Sequence, residues 1–146
     1  MIKKLYLSAL VLACIVSVSS AISFDEMNKV VEEIWNTLVD DGYNVRGALI
    51  PADNSYLNIT VKTNQSDQAA LAAASLYAKE YKRYPEITRF NFQVNETLEK
   101  GFAKYYVLGE WCQNLTYENN SAGESVLTNA SLQELGKKVW GTKVLL

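Results

Sequence analysis

The first pattern in the chain is a helical stripe of apolar residues over residues 24–40. Apolar side chains recur there every three or four positions, and acidic residues occupy the first turn, where the helix dipole favours negative charge. Gly42, in the turn that follows, is a suitable stop for the helix. The pattern predicts an amphipathic helix whose buried side consists of Met27, Val30, Val31, Ile34, Trp35 and Leu38.

Two further stretches predict helices. Residues 66–84 are rich in alanine, Ser66 is a suitable N-cap, and Pro85 prevents the helix from continuing. Residues 131–140 begin with the Ser-x-x-Glu pattern of a capping box, in which the two side chains cap the free backbone amides. This pattern predicts a short last helix.

Alternating apolar and polar residues predict strands over residues 56–63 and 87–95. Residues 46–51 predict a short strand that ends at a proline, and residues 100–116 predict a strand paired with 87–95. Residues 117–125 are polar and predict a loop. The predicted order is therefore helix, strand, strand, helix, strand, strand, helix.

This order indicates an α+β fold. We expect a mostly antiparallel sheet of about four strands, with two or three helices packed on one face. Residues 22–146 are numerous enough to form one domain with a substantial hydrophobic core.

The first 21 residues predict a secretory signal peptide. Lys3 and Lys4 precede an apolar run from Leu5 to Val18, and small residues lead up to Ala21. The run is shorter than the roughly 18 residues of a membrane span, so we expect cleavage near Ala21 and a secreted or cell-surface protein. Two alternatives remain open: lipid attachment at Cys14, which follows small residues as in a lipobox, and an uncleaved anchor. Membrane association is expected only in those two cases.

Cys112 is the only cysteine that follows the predicted signal peptide. One cysteine cannot form a disulfide within the chain. Its position beside Trp111 favours a small buried apolar residue. The alternative is an intermolecular disulfide, which an oxidising compartment would permit.

Six Asn-x-Ser/Thr triplets follow the signal peptide, where about 1.6 are expected by chance. Asn58 and Asn95 fall on the polar faces of predicted strands, and the others fall in predicted turns and loops. These placements suit N-glycosylation, although asparagine, serine and threonine also populate turns without modification. Together with the short basic signal peptide, they predict an exported archaeal glycoprotein. The candidate acceptors are Asn58, Asn64, Asn95, Asn114, Asn119 and Asn129.

The chain contains no histidine. This excludes Ser-His and Cys-His nucleophile pairs, imidazole metal sites and the commonest general base. The seven glycines form neither a P-loop nor a dinucleotide-binding motif. A net charge of −2 disfavours nucleic acid as a partner. We therefore predict a protein that is not an enzyme and has no catalytic residue, cofactor or metal site.

The carboxylates form no recognisable catalytic or metal-binding pattern. Glu32 and Glu33 are adjacent, so on a helix they point about 100° apart and make a poor catalytic pair. A carboxylate-based hydrolase remains an alternative and requires two facing acids in one pocket. A calcium loop would depart from the EF-hand pattern. It would use Asp40, Asp41, Asn44 and Asp53.

The sequence around the end of the second predicted helix combines aromatic and basic residues. Its tyrosines recur at positions i, i+4 and i+7, which places them on one side of a helix. One interpretation is packing on the sheet, with solvated bases around the rim. The other is a patch that binds an anionic polymer, a glycan or a protein. The residues are Tyr77, Tyr81, Tyr84, Lys79, Lys82, Arg83 and Arg89.

These patterns together predict a secreted or cell-envelope module that binds a partner and catalyses nothing. An envelope protein or a glycan is the expected partner, and the sequence does not specify an oligomeric state. The first alternative is a structural component of a surface assembly, dimerised through Cys112. The second is the carboxylate-based hydrolase.

Overall fold

The computed structural model describes residues 22–49, 55–97 and 101–146. Within these ranges the chain forms helices, a five-stranded sheet and a small hairpin, and the predicted α+β class is confirmed. The helices are α1 (Phe24–Asp40), α2 (Ser66–Arg83), α3 (Gly109–Cys112) and α4 (Asn129–Gly141). The strands are β1 (Asn44–Leu49), β2 (Tyr56–Lys62), β3 (Arg89–Thr97), β4 (Gly101–Leu108), β5 (Tyr117–Asn119), β6 (Ser125–Leu127) and β7 (Val144–Leu145).

The central sheet has the strand order β1-β2-β3-β4-β7. Strands β2 and β3 are parallel because α2 carries the chain back between them, and the other neighbouring pairs are antiparallel. Asn91 on β3 lies beside both Asn58 on β2 and Tyr106 on β4. Strands β5 and β6 pair only with each other.

The hydrophobic core lies between one face of the sheet and helices α1, α2 and α4. Alternate residues of β2, β3 and β4 point into it, as the period of two in the sequence predicts. The sheet contributes Leu57, Ile59, Val61, Phe90, Phe92, Val94, Ala103, Tyr105 and Val107, and all of these are buried.

Helix α1 agrees with the prediction from its apolar stripe. Ser23 and Glu26 form a capping box, with the Ser23 amide 3.0 Å from Oε2 of Glu26. Hydrogen bonds from Ser23 lower the pKa of the Glu26 carboxyl. Gly42 follows the helix at φ +87°, a backbone conformation that favours glycine. Trp35, predicted on the buried side, is instead partly exposed and lines a shallow surface groove.

Two predicted helix caps are wrong. Gln65 is the N-cap of α2, whereas Ser66 begins the helix and is buried. Helix α4 begins at Asn129, and Thr128 caps it by accepting a hydrogen bond from the Ser131 amide. Ser131 forms no capping box, because its hydroxyl accepts the Thr116 amide at 2.8 Å.

The predicted strand over residues 100–116 and the loop after it are only partly correct. The strand ends at Leu108, and residues 109–112 form the short helix α3. The predicted loop contains the hairpin β5–β6. Its turn forms because the Asn120 side chain accepts the amides of Ala122 and Glu124, and Gly123 takes a φ of +78°.

Several predictions fall outside the described residues. The signal peptide with Cys14, the end of the predicted strand at 46–51, and Asp53 of the calcium loop all lie there. Within the described ranges, none of the helices combines the length and apolar character required to span a membrane.

Candidate functional site

The fold separates the three tyrosines that the sequence places on one side of α2. Tyr77 is fully buried, stacks on Phe90 at 5.4 Å between ring centroids, and donates its hydroxyl to the Ile87 carbonyl. Burial raises the pKa of Tyr77. Tyr84 lies at the C-cap with φ −131°, where the chain has left the helix. Only Tyr81 remains partly exposed on the helix itself, so the tyrosines do not form a single surface.

The basic residues of the predicted patch are also separated. Lys82 on α2 lies 4.5 Å above the Tyr117 ring, while Lys79 is exposed on the same helix. Arg83 forms ion pairs at 3.2 Å with Glu33 and with Glu80. Arg89 belongs to β3, and its side chain lies on the opposite side of the sheet. The packing interpretation therefore describes α2 better than the binding interpretation does.

Glu80 is the buried member of a carboxyl pair between α1 and α2. Only 3% of the residue is exposed. Its burial, together with a hydrogen bond that the protonated Glu80 carboxyl donates to Glu33, raises its pKa, and the negative charge of ionised Glu80 raises the pKa of Arg83. Neither Glu33 nor Glu80 lines any of the four cavities found among the described residues. The pair therefore links two helices.

The side of the central sheet that faces away from the helices is here called the open sheet face. Polar residues of β2, β3 and β4 alternate with the core residues and point to this side. Its described side chains are those of Asn44, Tyr56, Asn58, Thr60, Lys62, Arg89, Asn91, Gln93, Asn95, Lys104, Tyr106, Leu108 and Val144.

Tyr106 lies at the centre of the basic part of this face. The Arg89 guanidinium is 4.9 Å and the Lys104 ammonium 5.1 Å from its ring centroid, both within the range of cation–π attraction. Arg89 Nε also donates to Asn91 Oδ1 at 3.1 Å. These contacts hold two cations close together on a flat surface.

The open sheet face and α1 carry opposite charges. Every charged side chain described on the open face is basic: Lys62, Arg89 and Lys104. None of the three forms an ion pair with a carboxylate in the part of the chain that the structure describes. By contrast, α1 contains five carboxylates and one lysine.

A shallow cavity of about 370 Å³ adjoins the open sheet face at the end of β4. Arg89 lines both the cavity and the face, and Tyr81, Glu110 and Gln113 form other parts of its wall. Gly109 and Tyr81 pack closely in this wall, because a β-carbon on Gly109 would collide with the Tyr81 ring. The cavity extends the polar surface around the edge of the sheet.

All six candidate glycosylation sites are at least partly exposed. They fall into two groups. Asn58 and Asn95 belong to the open sheet face, while the other four lie away from it. Those four are Asn64, Asn114, Asn119 and Asn129, and all are exposed.

Cys112 is buried in α3, as the packing interpretation predicts. It is 6% exposed, and its thiol lies 3.8 Å from the Leu108 carbonyl, to which it donates. Burial raises the pKa of the thiol to about 12. A disulfide with a second chain would first require this side chain to leave the core. Among the described residues, no cluster of three or more carboxylates or cysteines could hold a metal ion.

Sequence reasoning missed the centre of the open sheet face. Arg89 is close in sequence to the tyrosines and bases of α2 and was therefore predicted to belong to the same patch. No pattern in the sequence indicated Lys104 or Tyr106. The alternation of residues 87–95 already places Arg89 and Asn91 on the polar side, and that signal could have separated them from the helix. Comparison of the chain with protein-family models, with curated proteins and with solved structures finds no match.

Proposed function

We propose that this protein is an exported binding module of the cell envelope or extracellular space that contacts its partner through the open sheet face. The cluster of Arg89, Tyr106 and Lys104 is the observation that carries the proposal. It presents two cations that form no ion pair with a described carboxylate, on a face that no described helix covers. Charged groups that have no partner in the folded chain are suited to attract and orient an oppositely charged ligand.

Two observations support export. Ile22, the first residue after the predicted cleavage site, is 3% exposed, and α1 begins two residues later. Packed structure therefore extends to the residue that directly follows the predicted cleavage site. The six sequons are all accessible to a sugar, which supports the expectation of an archaeal glycoprotein.

The absence of catalysis is part of the proposal. The chain has no histidine. Among the described residues, Glu80 is the one buried carboxyl whose pKa is raised. It lies between two helices, in contact with Arg83 and Glu33. A general acid needs contact with substrate, and this carboxyl has no cavity beside it among the four described.

A second candidate is a structural component of a surface assembly. The acidic α1 and the basic open sheet face favour it, because a copy could place its α1 on the open face of the next. Such a contact joins unlike surfaces, so repeated contacts would generate an open filament unless the rotation closes a ring. This candidate predicts self-association that weakens as salt screens the charges.

Charge reversal on the open sheet face tests the proposal. We expect Arg89→Glu with Lys104→Glu to reduce co-sedimentation of the exported protein with envelopes of its source organism at least tenfold. The matched control is Lys29→Glu with Lys137→Glu, which changes the charge equally at exposed helix positions and should bind as the unaltered protein does.

Equal losses in both double variants would show that net charge alone matters and would contradict the proposal, as would unchanged binding of the open-face variant. Sedimentation velocity of the purified protein at low and high salt separates the second candidate. Oligomers that disappear in Arg89→Glu with Lys104→Glu would favour an assembly over a binding module.

A further inference from the structure

The cations of the open sheet face are spaced for a ligand with repeated negative charges. Arg89 and Lys104 each lie about 5 Å from the same ring centroid, so the two charges are within about 10 Å of each other. Lys62 adds a third cation on the neighbouring strand β2. Arg89 can bind a carboxylate through two parallel N–H groups, which gives geometric selectivity as well as attraction.

Most of the remaining surface consists of amides and hydroxyls. Asn58, Thr60, Gln93 and Asn95 lie on the open face and are partly exposed. An amide group both donates and accepts hydrogen bonds, so a row of amides can match the hydroxyl groups of a sugar chain. A protein interface would instead be expected to have an apolar centre, whereas the aliphatic members of the described open face, Leu108 and Val144, lie at the end of β4 and on the edge strand β7.

Tyr56 supplies an aromatic ring beside the cations. It lies next to Arg89 in the register of β2 and β3 and is partly exposed. The structure shows no ring partner for it within the described residues. Aromatic rings present an apolar face, and the C–H faces of sugar rings pack against such a surface.

We infer that the ligand of the open sheet face is an acidic polysaccharide, whose carboxylates pair with Arg89 and Lys104 and whose sugar rings contact Tyr56. The inference rests on the proposed function. It names one ligand class because cations, amides and a partly exposed aromatic ring coincide on one surface, and each alone would be less selective.

A binding titration of the exported protein with three polymers tests whether the ligand needs carboxylates, sugar rings or both. Polygalacturonate carries carboxylates on sugar rings, polyglutamate carries carboxylates without sugars, and dextran carries sugars without charge. We expect polygalacturonate to bind at least tenfold more tightly than either of the others. The affinity should fall with added salt.

Variants of Tyr56 and the cations identify the surface. Arg89→Gln with Lys104→Gln should weaken polygalacturonate binding at least tenfold, whereas Lys29→Gln with Lys137→Gln should leave it unchanged. Tyr56→Leu should weaken binding about threefold or more, and Tyr56→Phe should retain it because the ring remains. Urea unfolding of each variant verifies that it is folded.

The outcomes distinguish this inference from the proposed function. Equal binding of polyglutamate and polygalacturonate, or equal effects of Tyr56→Leu and Tyr56→Phe, would overturn the polysaccharide inference. So would a failure to bind polygalacturonate. If envelope binding still depended on Arg89 and Lys104 in that case, the open sheet face would remain the binding surface for a different ligand.

Discussion

The two faces of the central sheet are built from the same strands but differ in burial and in residue chemistry. On the covered face, Tyr77, Phe90, Phe92 and Tyr105 form a chain of ring contacts, with centroids 5.4 to 6.4 Å apart, and all four are buried. On the open face, alternate residues of the same strands are cations, amides and hydroxyls. The difference indicates that stability depends on one face, which leaves the other free to bind a ligand.

The largest expected effect on stability comes from Phe92, and its neighbour Gln93, which points to the opposite face, is the control. Phe92→Ala removes a fully buried ring, so we expect the free energy of unfolding to fall by about 3–5 kcal/mol. Gln93→Ala, one residue along β3, should change it by no more than about 0.5 kcal/mol. Urea denaturation measures both. Similar losses in the two variants would contradict the separation of the faces.

Gly109→Ala should have the next largest effect. The new β-carbon collides with the Tyr81 ring, and relieving such overpacking typically costs about 1–3 kcal/mol. Gly141 is the control, because a β-carbon there meets no atom within 4 Å. Gly141→Ala should therefore be neutral or slightly stabilising. A thermal melt in which Gly109→Ala matches Gly141→Ala would show that Tyr81 moves aside without cost.

Glu80→Gln should change how stability depends on pH. The folded-state pKa of Glu80 lies above its ordinary value of 4.5, so the folded protein holds this proton more tightly than the unfolded chain. The contribution is complete below pH 4.5 and is lost as the pH rises through the folded pKa. Glutamine does not titrate, so the variant should lose less stability than the unaltered protein as the pH rises above 4.5.

Urea midpoints of both proteins across this pH range test the prediction. The chain has no histidine, so no imidazole contributes to the slope in this interval. Midpoint curves that run parallel would mean that burial does not hold the Glu80 proton.

The last prediction involves no change in folding energy. A sugar on Asn58 or Asn95 would cover the open sheet face, so we expect both to be unmodified in the native protein. Asn64, Asn114 and Asn119 lie away from the face, as does Asn129, and can carry sugar without obstructing it. Mass spectrometry of glycopeptides from the source organism measures each site. Sugar on Asn58 would contradict a binding role for the open face.

Strong periodic signals in the sequence predicted much of the fold. The apolar stripe predicted α1 with its observed bounds, and alternation predicted both faces of β2. Helix α3 has four residues, and β5 and β6 have three each. Elements this short contain little more than one repeat of the helix or strand period, which is too little for a pattern to be recognised. The parallel pairing of β2 with β3 likewise depends on where α2 packs.

The candidate site was harder to predict than the fold. Helical spacing indicates that Tyr77 and Tyr81 share a side, but it does not show which of them reaches the middle of the sheet. Tyr84 has the right spacing and lies where the helix has ended. Arg89, Lys104 and Tyr106 come together only because β3 and β4 pair in a particular register. Single-sequence patterns do not encode that register.

The position of Ile22 has a consequence for the order of events during export. A signal peptidase acts on an extended backbone, yet in the folded domain Ile22 is buried and Ser23 already caps α1. If the leader is removed after Ala21 as proposed, the bond that is cut adjoins a residue that the folded domain buries, so we expect cleavage to come before the first helix forms.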